Sequence, residues 1–206
     1  MDLGLAGKRA IITGGTRGIG QAIAQTLIDE GAQVAICARS TEGVTSAVTE
    51  LGERAWGEAC DVADIKAYAA WMSRAIEHLG GLDIFVGNVA YTPDADSEAR
   101  WKAAFDIDLM HCVRGCESAM PALAQSEAGA VVLISSVSSV MSELPPEELA
   151  YGARGGAAAL LAQFNFGPLA RRRTANAALR AFLAFLHASG GSSSQQQSPS
   201  RVPEKS

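Results

Sequence analysis

The sequence predicts an α/β domain built on a doubly wound parallel sheet, with helices on both faces forming three layers. Two observations predict it. Through residue 134, short apolar and β-rich runs alternate with longer segments of helical period, which is the pattern of successive strand-helix-strand units. In addition, the first strand leads directly into a glycine-rich turn at residues 13–20 and then into a helix, as such folds commonly begin.

The elements follow in order. Five segments are typical of strands: residues 9–13, 33–37, 55–59, 82–86 and 130–135. Helical stretches lie between them near residues 18–30, 42–51, 64–79 and 97–126. In the last stretch, an apolar stripe recurs at three- and four-residue steps through Phe105, Leu109, Val113, Cys116, Met120 and Leu123. Pro121 predicts a kink or division there. We therefore expect five parallel strands.

The chain changes character near residue 151. Residues 1–150 carry 10 basic and 21 acidic side chains, whereas residues 151–206 carry 7 basic and 1 acidic. We predict a folded domain over residues 1–153, an atypical helical segment over 154–188 and a disordered tail over 189–206, which is rich in Ser, Gln, Gly and Pro. Apolar residues at positions 179, 182, 183 and 186 predict a short amphipathic helix. That helix either docks on the domain or meets a membrane surface or partner.

Composition narrows the classes of partner. A net charge of -5 over 206 residues argues against nucleic acid as the main partner, and no stretch is long and apolar enough to span a bilayer. The N-terminus lacks the features of an export signal. Four scattered cysteines indicate buried thiols, so we expect a reduced, cytoplasmic protein. His111, Cys112 and Cys116 lack further ligands nearby, and we predict no metal site.

The turn after the first strand predicts phosphate binding. Gly14, Gly18 and Gly20 allow a tight turn, a close approach of the backbone to a pyrophosphate and close packing of the helix on the strand. The helix N-terminus supplies N–H donors. The residues that we assign to cofactor binding in this turn are Gly14, Thr16, Arg17, Gly18, Ile19 and Gly20.

Arg39 predicts which dinucleotide binds. It follows the second strand, where an acidic residue would accept a hydrogen bond from the ribose of NAD, whereas an arginine pairs with the 2′-phosphate of NADP. Arg17 could assist. The alternative is that Arg39 is a solvated loop residue. We predict NADP as the preferred cofactor, with NAD as the other possibility.

These motifs resemble those of the short-chain dehydrogenase/reductase family. The family's TGxxxGxG turn matches residues 13–20, its acidic residue after strand three matches Asp61 and Val62, and its NNAG motif is matched imperfectly by residues 87–90. The resemblance covers residues 5–153. It implies a Rossmann-like domain that binds a nicotinamide dinucleotide, with Asp61 and Val62 near the adenine and Asn88 near the adenosine ribose. It also implies two further strands, which we expect to be missing here because no later segment matches them.

The resemblance further implies the catalytic residues. Ser136 takes the place of the family's serine after strand five, with Ser138 and Ser139 as alternatives, and Tyr151 takes the place of its tyrosine. A free tyrosine has a pKa of about 10 and is a poor base at neutral pH. In the family, a lysine four residues later lowers that pKa.

This chain departs from the family at several of these positions. Gly155 stands where the lysine is expected, and Arg154 is the nearest cation. Asp108 replaces an asparagine that supports a proton-relay water, and Ala90 replaces the last glycine of NNAG. A shifted reading frame in GC-rich DNA would also give the Ala-, Arg- and Gly-rich continuation after Tyr151.

Three functions are compatible with these features. The first is an NADP(H)-dependent oxidoreductase that acts on a small carbonyl or alcohol. The second is a non-catalytic or truncated dinucleotide-binding module, and the third is an interaction module that uses the helix near residues 179–186. Family members pair through the long helices that correspond to residues 97–126 and 151–166, so a homo-oligomer is possible.

Overall fold

The computed structural model describes residues 3–90, 97–136, 143 and 153. In this part of the chain, five parallel strands form one sheet in the order β3-β2-β1-β4-β5. The strands are β1 (Arg9–Thr13), β2 (Gln33–Ala38), β3 (Ala55–Ala59), β4 (Ile84–Gly87) and β5 (Ala130–Leu133). The helices are α1 (Gly18–Asp29), α2 (Thr41–Leu51), α3 (Ile65–Leu79), α4 (Ser97–Ala103) and α5 (Met110–Gln125), with a π-helical segment (Ala104–Leu109) between the last two. The predicted α/β fold is confirmed.

Side chains of the strands alternate between two cores, one on each face of the sheet. Ile11 and Phe85 belong to the core that α3 and α5 cover, whereas Ile12 belongs to the core that α1 and α2 cover. This alternation follows from the two-residue period of a strand. Trp71 is the largest fully buried side chain of the first core. Helices on both faces therefore give the three predicted layers. None of the helices in the described part combines the length and apolar character that crossing a bilayer requires.

Strand β4 begins two residues later than predicted, and β5 ends two residues earlier. The start of β4 is set by Asp83, whose carboxylate Oδ2 accepts a hydrogen bond from the backbone N–H of Arg9 at 2.9 Å. In regular strand pairing the N–H of Arg9 would donate to a backbone carbonyl oxygen of β4. Here it donates to the Asp83 side chain instead. The pairing of β5 with β4 runs from Ala130 to Leu133, and Leu133, the last paired residue, lies opposite Gly87. Strands β1 and β3 have the predicted bounds, and β2 is one residue longer.

Pro121 predicted a kink or a division of the long helix, and the helix is not divided there. Helix α5 continues through this proline to Gln125, because Ala119 and Leu123 on either side of it are fully buried in the core. The interruption lies earlier, in the π-helical segment. A π-helical turn holds an additional residue, so the apolar stripe does not continue through it. Phe105, which we expected on that stripe, is 56% exposed.

A partly buried ion pair fixes the end of the sheet where β1 begins. The Nε atom of Arg9 donates to Oδ2 of Asp83 at 2.8 Å, and the Ser126 hydroxyl donates to Oδ1. Burial by itself raises the pKa of Asp83, but the hydrogen bonds from Arg9 and Ser126 outweigh burial and lower this pKa to about 2. Asp83 is therefore ionised at neutral pH and joins the starts of β1 and β4 to the end of α5.

Candidate dinucleotide site

A cavity of about 430 Å³ opens at the carboxyl ends of β1, β2, β3 and β4. Ligands of open parallel sheets bind at this edge, where the chain crosses from one side of the sheet to the other. Its wall consists of the turn after β1, the ends of β2 and β3, the residues after β4 and one residue of the π-helical segment. These are Gly14, Thr16, Arg17, Gly18, Ile19, Cys37, Ala38, Arg39, Cys60, Asp61, Val62, Asn88, Val89, Ala90 and Ile107.

The turn after β1 has the backbone that its glycines predict. Gly14 and Gly18 have φ angles of 68° and 56°, in the left-handed region that side chains with a Cβ rarely adopt. Gly20 is not in the wall but lies beneath it, where a Cβ would overlap the carbonyl oxygen of Gly14 and the side-chain amide of Asn88. The chain therefore needs glycine at each of these three positions.

The N-terminus of α1 points its backbone N–H groups toward this turn. The helix begins at Gly18. Its N-cap residue, Arg17, makes no side-chain capping hydrogen bond within the described part of the chain. Such an end attracts anions, because its N–H groups are unpaired and the helix dipole is positive there. The cavity, the glycine cradle and this helix end together fit a dinucleotide.

Asn88 holds the turn in place from the end of β4. Its side-chain Nδ2 donates to the carbonyl oxygens of Thr13 at 3.0 Å and Gly14 at 3.2 Å. Its backbone N–H donates to the Thr13 hydroxyl at 2.9 Å. The family resemblance implies that Asn88 lies near the adenosine ribose, and this remains a prediction. The contacts to Thr13 and Gly14 are a second role that it did not indicate.

The charged residues of the wall come from the turn after β1 and from the ends of β2 and β3. Arg17 and Arg39 are both exposed and both line the cavity. Asp61 is exposed as well, and its Oδ1 accepts from the backbone N–H of Ala63 at 3.0 Å. Val62 is buried. Two cationic side chains therefore lie on the same cavity as the single carboxylate of the wall, among the residues described.

Two thiols of the wall behave as apolar groups. Burial raises the pKa of Cys37 far above its ordinary value, and the neighbouring Cys60 raises it further. Burial and the charge of Asp61 raise the pKa of Cys60 to about 11. Both side chains are therefore protonated at neutral pH. Cys37, Cys60 and Ile107 were not predicted as wall residues, although Cys37 and Cys60 lie at or next to strand ends, where a sequence pattern could have indicated them.

The predicted catalytic residues are only partly within the described chain. Ser136 is half-buried and lies three residues beyond the end of β5. Tyr151, Ser138 and Ser139 lie outside the described residues, as do Arg154 and Gly155. The predicted segments 154–188 and 189–206 also lie outside them. Asp108 is buried in the π-helical segment. Among the described residues, no group of three or more His, Cys, Asp and Glu side chains could hold a metal ion.

Comparison with known proteins supports this geometry. The family described as short chain dehydrogenase matches residues 8–167. The isoepoxydon dehydrogenase of Penicillium expansum is 32% identical over 142 residues, which cover 66% of this chain and 55% of that protein. The 3-oxoacyl-(acyl-carrier-protein) reductase of Vibrio harveyi is 31% identical over 144 residues, covering 68% of this chain and 59% of that protein.

A solved structure agrees in fold. A 7 alpha-hydroxysteroid dehydrogenase, complexed with NADH and 7-oxo glycochenodeoxycholic acid, matches with a TM-score of 0.71 at 27% identity, covering 78% of this chain and 64% of that one. The chain thus spans less than two thirds of the length of these three relatives. Since the family pattern extends over most of the sequence and includes the glycine turn, the chain belongs to the short-chain dehydrogenase family of oxidoreductases.

Proposed function

We propose that the chain binds a nicotinamide dinucleotide in the 430 Å³ cavity, with NADP(H) preferred to NAD(H), and that it serves hydride transfer between this cofactor and a carbonyl or alcohol. One observation carries the proposal. The glycine turn, the N-terminus of α1 and the end of β4 converge on one cavity at the carboxyl edge of the sheet, and Asn88 joins the turn to β4.

The wall suggests how the cofactor lies. The backbone of Gly14, Thr16, Gly18 and Ile19 would hold the pyrophosphate. Asp61 and Val62, which follow β3, would contact the adenine, and Asn88 would lie near the adenosine ribose. Because Cys37 and Cys60 stay protonated, this part of the cavity offers an apolar surface to the adenine ring.

The preference for NADP(H) rests on Arg39 and Arg17. Both line the cavity, and the residue that follows β2 is Arg39 rather than an acidic residue. A guanidinium forms charge-assisted hydrogen bonds with phosphate, whereas it gains no comparable bond from an unmodified ribose. The 2′-phosphate of NADP would therefore bind at this end of the cavity.

The chemistry would use Ser136 and Tyr151. The bound dinucleotide supplies or accepts the hydride at the carbonyl carbon. As the hydride adds to carbon, the carbonyl oxygen takes a proton, which the Tyr151 hydroxyl would donate; in the oxidative direction the phenolate would take that proton back. The Ser136 hydroxyl would donate a hydrogen bond to the same oxygen and hold it in place.

The residue at position 155 favours a second candidate, a dinucleotide-binding module without turnover. Gly155 leaves Tyr151 without the cation that would lower its pKa. Replacement of Gly155 by Lys, assayed for NADPH oxidation with a panel of carbonyl compounds, separates the two. Turnover by the wild-type chain supports the oxidoreductase, whereas turnover only in Gly155→Lys, or in neither, supports the binding module.

The remaining proposals concern the substrate, the pairing of two copies and the cellular compartment. The substrate would be a small carbonyl or alcohol. Pairing of two copies would involve residues 97–126 and 151–166. All four cysteines are buried free thiols, which supports a reducing compartment such as the cytoplasm.

Binding is tested by titrating the wild-type chain with NADPH and with NADH in a calorimeter. We expect tighter binding of NADPH. The variant Arg39→Gln should lose about tenfold or more in affinity for NADPH and little for NADH, in line with one charge-assisted contact. Arg54→Gln is the matched control, because Arg54 precedes β3 at the opposite edge of the sheet. Failure to bind either dinucleotide would refute the proposed function, and equal affinities would refute the preference.

A further inference from the structure

His111 lies behind the candidate dinucleotide site, at the start of α5, and is fully buried. Its two ring nitrogens face groups that are distant in sequence from each other. Nδ1 is within hydrogen-bonding distance of the carbonyl oxygen of Ile107 in the π-helical segment. Nε2 is 3.4 Å from the hydroxyl of Thr13, the last residue of β1. The ring therefore joins the helix to the strand that carries the glycine turn.

The contact with Ile107 determines where the proton of a neutral ring lies. A carbonyl oxygen only accepts, so Nδ1 must carry a hydrogen and donate it. In the neutral ring Nε2 then has a free electron pair and accepts. Two donors lie within reach of Nε2, the Thr13 hydroxyl at 3.4 Å and the Cys112 thiol at 3.6 Å. The thiol has the carbonyl oxygen of Asp108 as another acceptor at 3.4 Å, and the Thr13 hydroxyl has that of Val86 at 3.4 Å.

The Thr13 hydroxyl connects His111 to the cavity wall through its hydrogen bonds. With its hydrogen directed to His111, its oxygen accepts the backbone N–H of Asn88 at 2.9 Å and faces that of Val89 at 3.4 Å. Asn88 in turn donates to the Thr13 and Gly14 carbonyl oxygens. A continuous series of polar contacts thus runs from Ile107 through His111, Thr13 and Asn88 to the glycine turn.

Gly87 provides the space for this arrangement. A Cβ at Gly87 would lie 2.9 Å from Cδ2 of Leu133, 3.1 Å from Sγ of Cys112 and 3.8 Å from Nε2 of His111. The family's NNAG motif has an asparagine at this place in the strand, and a side chain here would crowd Leu133 and Cys112. Glycine at this position therefore lets Cys112, and His111 beside it, pack closely against the end of β4.

We infer that His111 is a positioning residue for dinucleotide binding, which acts by accepting a hydrogen bond from Thr13 and thereby fixing Asn88 and the glycine turn. The inference rests on the proposed function, because it concerns the affinity of the same cavity. His111 itself does not line the cavity. Of the two residues that its ring contacts, Ile107 lines the cavity directly, whereas Thr13 is joined to the wall through Asn88, and the inference concerns this second route.

Two substitutions separate the ring's two contacts. In His111→Asn, the amide nitrogen takes the place of Nδ1 and keeps the donor to Ile107, but the shorter side chain does not reach Thr13. In His111→Gln, the terminal amide reaches the position of Nε2 and presents its oxygen to the Thr13 hydroxyl. We expect His111→Asn to bind NADPH about tenfold more weakly than wild type and His111→Gln to bind within about threefold of wild type, the difference that one hydrogen bond makes.

A double-mutant cycle with Thr13→Val tests the route. If His111 acts through Thr13, the double variant His111→Asn, Thr13→Val binds NADPH no more weakly than Thr13→Val alone. Tyr68→Phe is the matched control, because Tyr68 is buried in the core against the same helix and outside the series of contacts. It should leave the dissociation constant unchanged.

A measurement on the free wild-type chain does not depend on any variant folding. Long-range proton-nitrogen correlation spectra report which ring nitrogen carries the proton, and we expect a protonated Nδ1 and an unprotonated Nε2 at neutral pH. The opposite tautomer or a ring protonated on both nitrogens would overturn the inference, as would equal affinities of His111→Asn and His111→Gln or multiplicative losses in the cycle. If wild type binds neither NADPH nor NADH, the proposed function fails along with the inference, whereas normal binding by His111→Asn refutes the inference alone.

Discussion

The guanidinium of Arg9 and the carboxylate of Asp83 form an ion pair with 2.8 Å between Nε and Oδ2, and Asp83 is nearly fully buried. The pKa of Asp83 in the folded chain, about 2, lies below the ordinary value of 3.8. The ionised form therefore stabilises the fold above pH 4, and this stabilisation is lost as the pH falls toward 2. We expect Asp83→Asn to lower the free energy of unfolding by about 2 kcal/mol at pH 7 and by about half as much at pH 3.

Urea denaturation at both pH values measures this difference. The ion pair of Arg74 with Glu58 offers a matched control, since its Nη2–Oε2 distance is 2.7 Å but its side chains are 50% and 37% exposed. Solvent screens such a pair, so Glu58→Gln should destabilise the chain much less than Asp83→Asn. A loss from Asp83→Asn that is the same at pH 3 and pH 7 would contradict the assigned pKa.

Gly20 should tolerate no side chain. Its Cβ would overlap the Gly14 carbonyl oxygen and the Asn88 amide, so Gly20→Ala must displace the turn or the end of β4. We expect loss of measurable NADPH binding together with a lower melting temperature. In Gly43→Ala, by contrast, the new Cβ lies 3.5 Å from Ser40 in ordinary contact within α2, and the better helix propensity of alanine should stabilise the chain by about 0.5 kcal/mol. Binding by Gly20→Ala at wild-type affinity would disprove the close packing.

Cys60 should be the most reactive of the four thiols in the folded chain and still a slow one. It is 7% exposed, and the other three are less exposed. With its pKa raised to about 11, its thiolate fraction at pH 8 is about a hundredfold below that of an ordinary thiol. Alkylation by iodoacetamide, followed by mass spectrometry, should proceed slowly, accelerate as the pH rises and slow further with NADPH present. Cys60→Ser should abolish this phase, and rapid alkylation at pH 7 would contradict the prediction.

The buried hydroxyl of Tyr68 has no hydrogen-bond partner among the described residues. Such a group loses its hydration without compensation, so Tyr68→Phe should raise the free energy of unfolding by about 1 kcal/mol. Ser126→Ala is the contrasting variant, because the Ser126 hydroxyl is buried and donates to Asp83. Its removal should destabilise the chain. Chemical denaturation compares the two, and destabilisation by Tyr68→Phe would show that its hydroxyl is paired.

Sequence reasoning located the elements whose residues interact locally. The turn at Gly14, Gly18 and Gly20 was predictable because the need for glycine there, a positive φ angle or a close backbone contact, arises within a few residues of the sequence. The start of β4 was not, because Asp83 replaces a backbone acceptor for Arg9, a residue 74 positions away. The contact of His111 with Thr13 joins residues 98 positions apart, and only the strand order brings them together.

The interruption of the long helix escaped prediction for a different reason. Proline at position 121 is a strong local signal, yet packing of the surrounding residues overrides it. The π-helical segment has no such signal, because residues such as Phe105 fit the apolar repeat on either side of it. A repeat read from sequence assumes a constant number of residues per turn, and this segment violates that assumption.

The π-helical segment has a consequence for how this helix can change by mutation. A π-helical turn is equivalent to one residue inserted into an α-helix, and one residue corresponds to a rotation of about 100°. Deleting one residue within Ala104–Leu109 would make the helix continuous and turn the exposed Trp101 and Phe105 relative to His111 and the sheet. A one-residue deletion at this point would therefore change which residues of α4 face solvent without any substitution among them.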